Sequence, residues 1–299
     1  MTHFHARGFG LNWRADVPLV QFDPLATSVA NPDICVAQVE RLSERAGATA
    51  INRGEVYVDG FRLGWGDEVT FDMFGGTRID YCTGPDWRGT LPPMFFGTVT
   101  GLTLAWRGLL PLHATALELS GQAFLLTGSA GTGKSTLAAE LMAHGAQLIS
   151  DDLTILEMSS GNAAPLAFRG RQTMRLHPDT AARTGALRRE DVPDDPRGKL
   201  LVWPTARTSA VALPVGGLIL LGKREGSLSG IELAPILPEL LYRPAWLAAM
   251  PAQVSIHSRT LELARSVPAW VTKPVAGFAA DDRARRAERI LAAIANLTA

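Results

Sequence analysis

The chain has 299 residues, 46% of them hydrophobic and 19% charged, a globular balance that excludes a disordered chain and allows a sizeable core in one large or two modest domains. Lysine plus arginine and aspartate plus glutamate each total 29, so no net field draws in nucleic acid, and Cys35 and Cys82, the only cysteines, are too few for a disulfide scaffold or a zinc site. No window approaches the ~20 apolar residues of a membrane span and the N-terminus carries no signal-length apolar run, so the sequence reads as cytoplasmic, with neither nucleic acid nor membrane as partner.

In chain order, residues 33–46 carry Ile34, Val36, Val39 and Leu42 as a partial apolar stripe and predict one helix. Residues 53–82 alternate short β-rich runs with Asp59-Gly60, Gly66-Asp67 and Gly75-Gly76, the grammar of a meander of hairpins. Trp13, Trp65 and Trp87 are expected to pack in its core. Gly84, Pro85, Gly89 and the Pro92-Pro93 pair are the strongest punctuation of the first half. They place a junction between a β-rich N-terminal domain, residues 1–92, whose role no motif defines, and a second domain, residues 93–299.

Residues 95–106 are apolar and proline-free and predict a buried helix, and residues 112–119 read as a strand. A strand (122–127), a glycine loop (128–135), a helix (136–145) and a strand (146–150) follow in βαβ order, so the fold class is α/β with a mostly parallel sheet. Beyond them come a polar loop at 188–199, a strand at 215–221, helices near 237–249 and 252–263, and a strand near 269–272. A last amphipathic helix over 281–295 turns Ile290, Leu291 and Ile294 to the core.

The chemistry sits in the glycine loop. Gly128, Ser129, Ala130, Gly131, Thr132, Gly133, Lys134 and Ser135 fit the Walker A pattern, follow an apolar strand and open a helix with Thr136. Glycines let backbone N–H groups turn toward phosphates, and the helix start adds its positive dipole end. Lys134 would reach the β- and γ-phosphates of ATP, and Ser135 would bind magnesium. The loop alone serves kinases, hydrolases and mechanical ATPases alike.

Asp151 and Asp152 close the next strand, whose carboxyl end lies on the phosphate side if it runs with the loop strand. One carboxylate can complete the magnesium shell while the other accepts a proton from the attacking hydroxyl. Asp151 is read as base and Asp152 as metal ligand, with the reverse assignment left open. His113, on the preceding strand, would orient the catalytic carboxylate if the two strands are neighbours; otherwise it is a satisfied core histidine.

Residues 112–156, in the order His113, glycine loop, Asp151-Asp152, resemble the catalytic domain of HPr kinase/phosphorylase and its kinase-like relatives. The resemblance implies a P-loop kinase fold of that C-terminal type, ATP and Mg2+ as cofactors, a protein or peptide serine as acceptor, and a homo-oligomer. The family's second signature, Glu-x-Arg-Gly-Leu-Gly, is reduced here to Arg169-Gly170, with Ala167 at the acidic position. A one-way kinase is therefore expected. Residues 174–179 and Lys199 resemble a divergent group with an extra N-terminal domain, some of which modify a serine of a ribosomal precursor peptide. Arg169, Arg197 and Lys199 are candidates to stabilise the transferring phosphoryl group. The alternatives are a P-loop kinase of small molecules and a binding module that ATP switches without phosphoryl transfer.

Overall fold

The computed structural model describes residues 2–129, 131–159, 163–184, 186–188, 198–251, 253–273 and 280–298. It divides into two units, Met1–Pro111 with Leu241–Arg259 and Leu112–Leu240 with Thr260–Ala299. The first unit thus runs past the expected junction at 92/93, keeps the helix at 95–106, and takes in a segment that lies within the expected second domain. No helix among the described residues is long and apolar enough to cross a membrane.

Nine strands among the described residues form the sheet of the first unit. Their spatial order is Asp23–Pro24, Phe4–Gly8, Leu11–Ala15, Ile34–Gln38, Arg78–Thr83, Val69–Phe74, Gly60–Trp65, Gly54–Tyr57 and Thr49–Ile51. The four strands from Arg78–Thr83 to Gly54–Tyr57 are the hairpins that the Asp-Gly, Gly-Asp and Gly-Gly turns dictate, and Thr49–Ile51 joins them through a turn at Asn52-Arg53, with Arg53 at φ 64°. The helix expected at 33–46 is absent: Ile34–Gln38 is a strand, parallel to both Leu11–Ala15 and Arg78–Thr83. Ile34 and Val36 alternate with less buried neighbours, a period of two that the β-branched residues favour. Asp33 does not cap a helix; its carboxylate accepts the Asn12 N–H at 2.9 Å and holds the strand start.

The expected buried helix is present, as a wide-turned stretch Phe95–Val99 that continues into Thr100–Trp106. Phe95 packs 5.5 Å from Phe71 and 6.3 Å from Trp13, all three fully buried. Trp65 departs from the core reading, with 38% of its surface exposed.

The second unit holds a mixed sheet, not the mostly parallel one expected. Thr154–Glu157, Leu166–Phe168, Ala212–Leu221, Gln122–Thr127, Ala114–Leu119 and Gln147–Ser150 lie side by side in that order. Among the described residues the pairings of Ala212–Leu221 with Gln122–Thr127 and with Ala269–Thr272 are parallel, and those between the other neighbours in this order are antiparallel. The sheet is mixed because Ala114–Leu119 and Gln122–Thr127 form a two-residue hairpin through Ser120 and Gly121, both at positive φ (52° and 77°), with Leu119 opposite Gln122. Gln147–Ser150 pairs antiparallel with the far side of Ala114–Leu119. It therefore runs the same way as Gln122–Thr127 one strand removed, and both carboxyl ends share an edge.

The helix Lys134–Ala143 follows the loop strand, and a final helix spans Ala280–Thr298. Leu137, Leu141, Ala287 and Ile290 are buried in one cluster with Leu126 and Ile219. Ile294 is buried with them and Leu291 is partly so, as the stripe predicts. The helix expected over 237–249 is two short ones, Leu237–Leu240 and Pro244–Ala249. Arg243 at φ 56° precedes Pro244, whose missing N–H suits a helix start and not its interior.

Candidate functional site

The glycine loop leaves its strand through Gly128 (φ 142°) and enters the helix through Gly131 (φ 83°) and Gly133 (φ 89°). Gly133 stands at the helix N-cap with no side-chain cap bond, which leaves the first-turn N–H groups for a ligand. An alanine at Gly133 would meet no atom of the described residues within 4 Å. Its whole cost is left-handed backbone, so Gly133→Ala is expected to lower stability by about 1 kcal/mol in a urea melt.

Lys134 is only 8% exposed and its Nζ donates to the carbonyls of Gly128 (2.8 Å) and Ser129 (3.2 Å). Burial pulls its ammonium below the usual lysine range, against the pull of Asp151 and Asp152 and with the push of Lys199. Lys199 therefore lies within electrostatic reach of the loop lysine. Thr132 donates to the Ser129 carbonyl at 2.9 Å, closing the loop's turn.

Asp151 is buried at 5% exposure. Thr115 donates to its Oδ1 at 2.6 Å, and Ser135 Oγ lies 3.3 and 3.4 Å from its two oxygens. Burial pushes the Asp151 carboxyl above its usual range; the Thr115 bond opposes this, Asp152 adds to it, and Arg171 and Ser135 oppose it.

Asp152 differs in every respect. Its side chain is 48% exposed, its Oδ1 is 3.3 Å from His113 Nδ1, and its Oδ2 is 3.4 Å from Arg171 Nη2. Its backbone is left-handed at φ 70°, and the Leu153 N–H bonds the Asp151 carbonyl across it at 2.9 Å. This is the rare left-handed form of the γ-turn. The turn sends the two neighbouring carboxylates to different surroundings, one to the loop serine and the other to solvent.

His113 interrupts the strand expected over 112–119, standing between Leu110–Leu112 and Ala114–Leu119. Its N–H donates to the Leu240 carbonyl at 2.8 Å, and its ring also meets the Asp152 carbonyl at 3.1 Å. The hairpin register sets Ala114 opposite Thr127, which brings His113 to the loop end of the sheet.

Of the sequence candidates, the structure brings together His113, Lys134, Ser135, Asp151 and Asp152, with Lys199 near Lys134. Arg169 turns elsewhere, donating from Nη1 to the Ser209 carbonyl at 2.6 Å. Arg171 takes the place by the acidic pair; its Nη2 also bonds the Asp151 carbonyl at 3.2 Å. Ala130 and Arg197 lie outside the described residues. Thr115 and Arg171 were missed by motif reasoning. A polar residue inside the apolar strand Ala114–Leu119 marks the first. Nothing marks the second: two residues apart in an extended chain, Arg169 and Arg171 would share a face, and they part because the strand ends at Phe168.

Ser135 Oγ and the Asp151 carboxylate form a hard oxygen pair that suits a magnesium ion sharing its shell with phosphate and water. Among the described residues no three His, Cys, Asp or Glu side chains form a protein-only metal cage. A magnesium that relies on substrate phosphates needs none.

No family model matches the chain, and no curated protein matches it. Among solved structures it is similar in part to the HPr(Ser) kinase/phosphatase from Coxiella burnetii, at 14% identity over 63% of this chain and 99% of that one, with a TM-score of 0.34. A likeness at that level fixes neither fold nor activity.

Proposed function

We propose that this chain is a magnesium- and ATP-dependent kinase that phosphorylates a serine hydroxyl of a protein or peptide. One observation carries the phosphoryl-transfer reading. A buried carboxylate hydrogen-bonded to the loop serine and a half-exposed carboxylate flanked by His113 and Arg171 meet beside the glycine loop. The acceptor class rests on the order of motifs in residues 112–156.

The geometry favours roles opposite to those read from sequence. Asp151, against Ser135 and out of solvent, suits the metal position. Asp152, open to an incoming hydroxyl, suits the base. Bound magnesium would neutralise charge on the phosphate oxygens. Lys134 would exchange its two carbonyl partners for phosphate oxygens. Lys199, close by, would add positive charge where negative charge builds. His113 and Arg171 would fix the direction of the Asp152 carboxylate. They act through Asp152 and are positioning residues.

The test is direct. The full chain is incubated with Mg·ATP and a panel of serine-containing peptides and proteins, and phosphosites are mapped by mass spectrometry. Phosphoserine on an acceptor is the expected result. ATP binding with phosphate transferred only to small alcohols would overturn the acceptor class, and ATP binding with no transfer to any acceptor would overturn the kinase.

A further inference from the structure

Thr115 is a polar residue in an apolar stretch. Ala114, Ala116 and Leu117 beside it are buried, and Thr115 itself is fully buried. A hydroxyl taken out of water costs free energy unless it is hydrogen-bonded, and valine has nearly the same shape without that cost. The bond that offsets it runs to Asp151 Oδ1 at 2.6 Å, the length of a hydrogen bond to an ionised carboxylate.

That meeting is built into the backbone. Glu118 lies opposite Gln147 and Leu117 opposite Leu148, but Ala116 lies opposite Ser150. Ile149 is therefore an extra residue in its strand, a bulge just before the acidic pair. Past the bulge the register sets Asp151 across from Thr115, with both side chains on one face of the sheet. Without the extra residue Asp151 would stand across from Ala114, which has no polar side chain. The bulge is held from outside, since the Gly170 N–H bonds the Ile149 carbonyl at 3.2 Å.

The two oxygens of Asp151 end up unequal. Oδ1 takes Thr115 at 2.6 Å and Ser135 at 3.3 Å, whereas among the described residues Oδ2 has Ser135 alone, at 3.4 Å. The Thr115 bond fixes the plane of the carboxylate and draws charge at Oδ1, so Oδ2 is the oxygen left to meet a cation. Magnesium is small and demands near-ideal octahedral geometry; calcium is larger, takes more oxygens and accepts both oxygens of one carboxylate. A carboxylate held to a single free oxygen suits the first ion and handicaps the second.

We propose that Thr115 is a positioning residue that makes the site select magnesium over calcium, by holding Asp151 as a one-oxygen ligand. The proposal rests on the metal role given to Asp151 above and adds a selectivity to it.

Isothermal titration of the full chain with ATP tests it, in magnesium or in calcium at concentrations that saturate the nucleotide. Wild type is expected to bind ATP about tenfold or more tighter in magnesium than in calcium. Thr115→Val keeps the shape and removes the hydroxyl. It is expected to lose about fivefold in magnesium and to stay within about twofold, or to gain, in calcium. A cooperative urea transition shows that the variant is folded. Thr115→Ala carries the same expectation and replaces the valine variant if that one does not fold. Thr115→Ser restores the hydroxyl and is expected to keep the wild-type ratio within about twofold. Equal losses in both cations, or a serine variant as unselective as the valine one, would make Thr115 a packing residue and overturn the proposal. So would a wild type that binds equally in both cations. ATP affinity that responds to neither cation overturns the metal reading itself, a different failure.

Discussion

Asp152→Asn is expected to slow phosphoryl transfer by about 10²–10⁴-fold, the usual worth of a positioned general base, and to leave Mg·ATP affinity within about threefold. The expectation follows from the contrast between neighbouring acids. Asp152 is half exposed and bonded to His113 and Arg171, so it can meet an acceptor hydroxyl. The amide keeps the shape and tolerates the left-handed backbone at this position. Asp151→Asn should do the opposite first: with the carboxylate beside Ser135 gone, the magnesium-dependent part of nucleotide affinity falls by about tenfold or more. Single-turnover transfer and titration with and without magnesium separate the two effects. If Asp151→Asn abolishes transfer with Mg·ATP affinity intact while Asp152→Asn transfers normally, the sequence assignment of roles is the correct one.

The second large effect lies in the first unit. Arg45→Met is expected to destabilise that unit by about 3 kcal/mol, read as a lower urea midpoint with unchanged slope. Asp72 is fully buried, and its carboxylate is held by Arg45 on one oxygen and Arg62 on the other. Arg45 is itself 7% exposed and stacks 3.8 Å above the Tyr57 ring and 4.5 Å from Phe74. Methionine keeps much of the packing and removes the charge, leaving Asp72 with Arg62 alone. That remaining partner keeps the cost at the low end for a broken buried pair. The Arg45 bond to Asp59 adds little, because Asp59 is 60% exposed. Asp59→Ala is the control and should change stability by less than about 0.5 kcal/mol. A comparable loss in both variants would contradict this ranking.

Much of this architecture was legible in the residues. Turn dipeptides fixed the hairpins between Gly54 and Thr83 because such turns are local, and the glycine loop announced its own strand and helix. Ile34–Gln38 was misread because its partners lie far along the chain and parallel pairing leaves no local turn to read. Ile34 and Val36 fit a period of two while Val36, Val39 and Leu42 fit a helical one, so the run was open to either reading. The segment 241–259 joins the first unit with no mark in its sequence, and only Arg243 before Pro244 signals a break in the helical pattern. At the site, charge and order revealed His113, Lys134, Ser135 and the two acids. Which arginine faces them, and which acid is buried, depends on the path of the chain after Ser150. That path is set by the γ-turn at Asp152 and by the bonds of Gly170 and Arg171 to residues 149 and 151.

The hairpin tip at Ser120-Gly121 has a reach beyond its own turn. Among the described residues Ala114–Leu119 alone lies between the loop strand and the acid strand; it carries Thr115, and His113 directly precedes it. Side chains alternate along it, so its register decides whether the Thr115 hydroxyl faces Asp151 or the opposite side of the sheet. That register is locked by the tight turn at its far end, about 20 Å away at the rise of a strand. A single residue inserted at this exposed tip, remote from every reacting group, would slide the strand by one place and dismantle the acidic flank while the glycine loop stayed whole. On the function proposed above, a descendant with that insertion would keep its glycine loop for nucleotide and lose phosphoryl transfer.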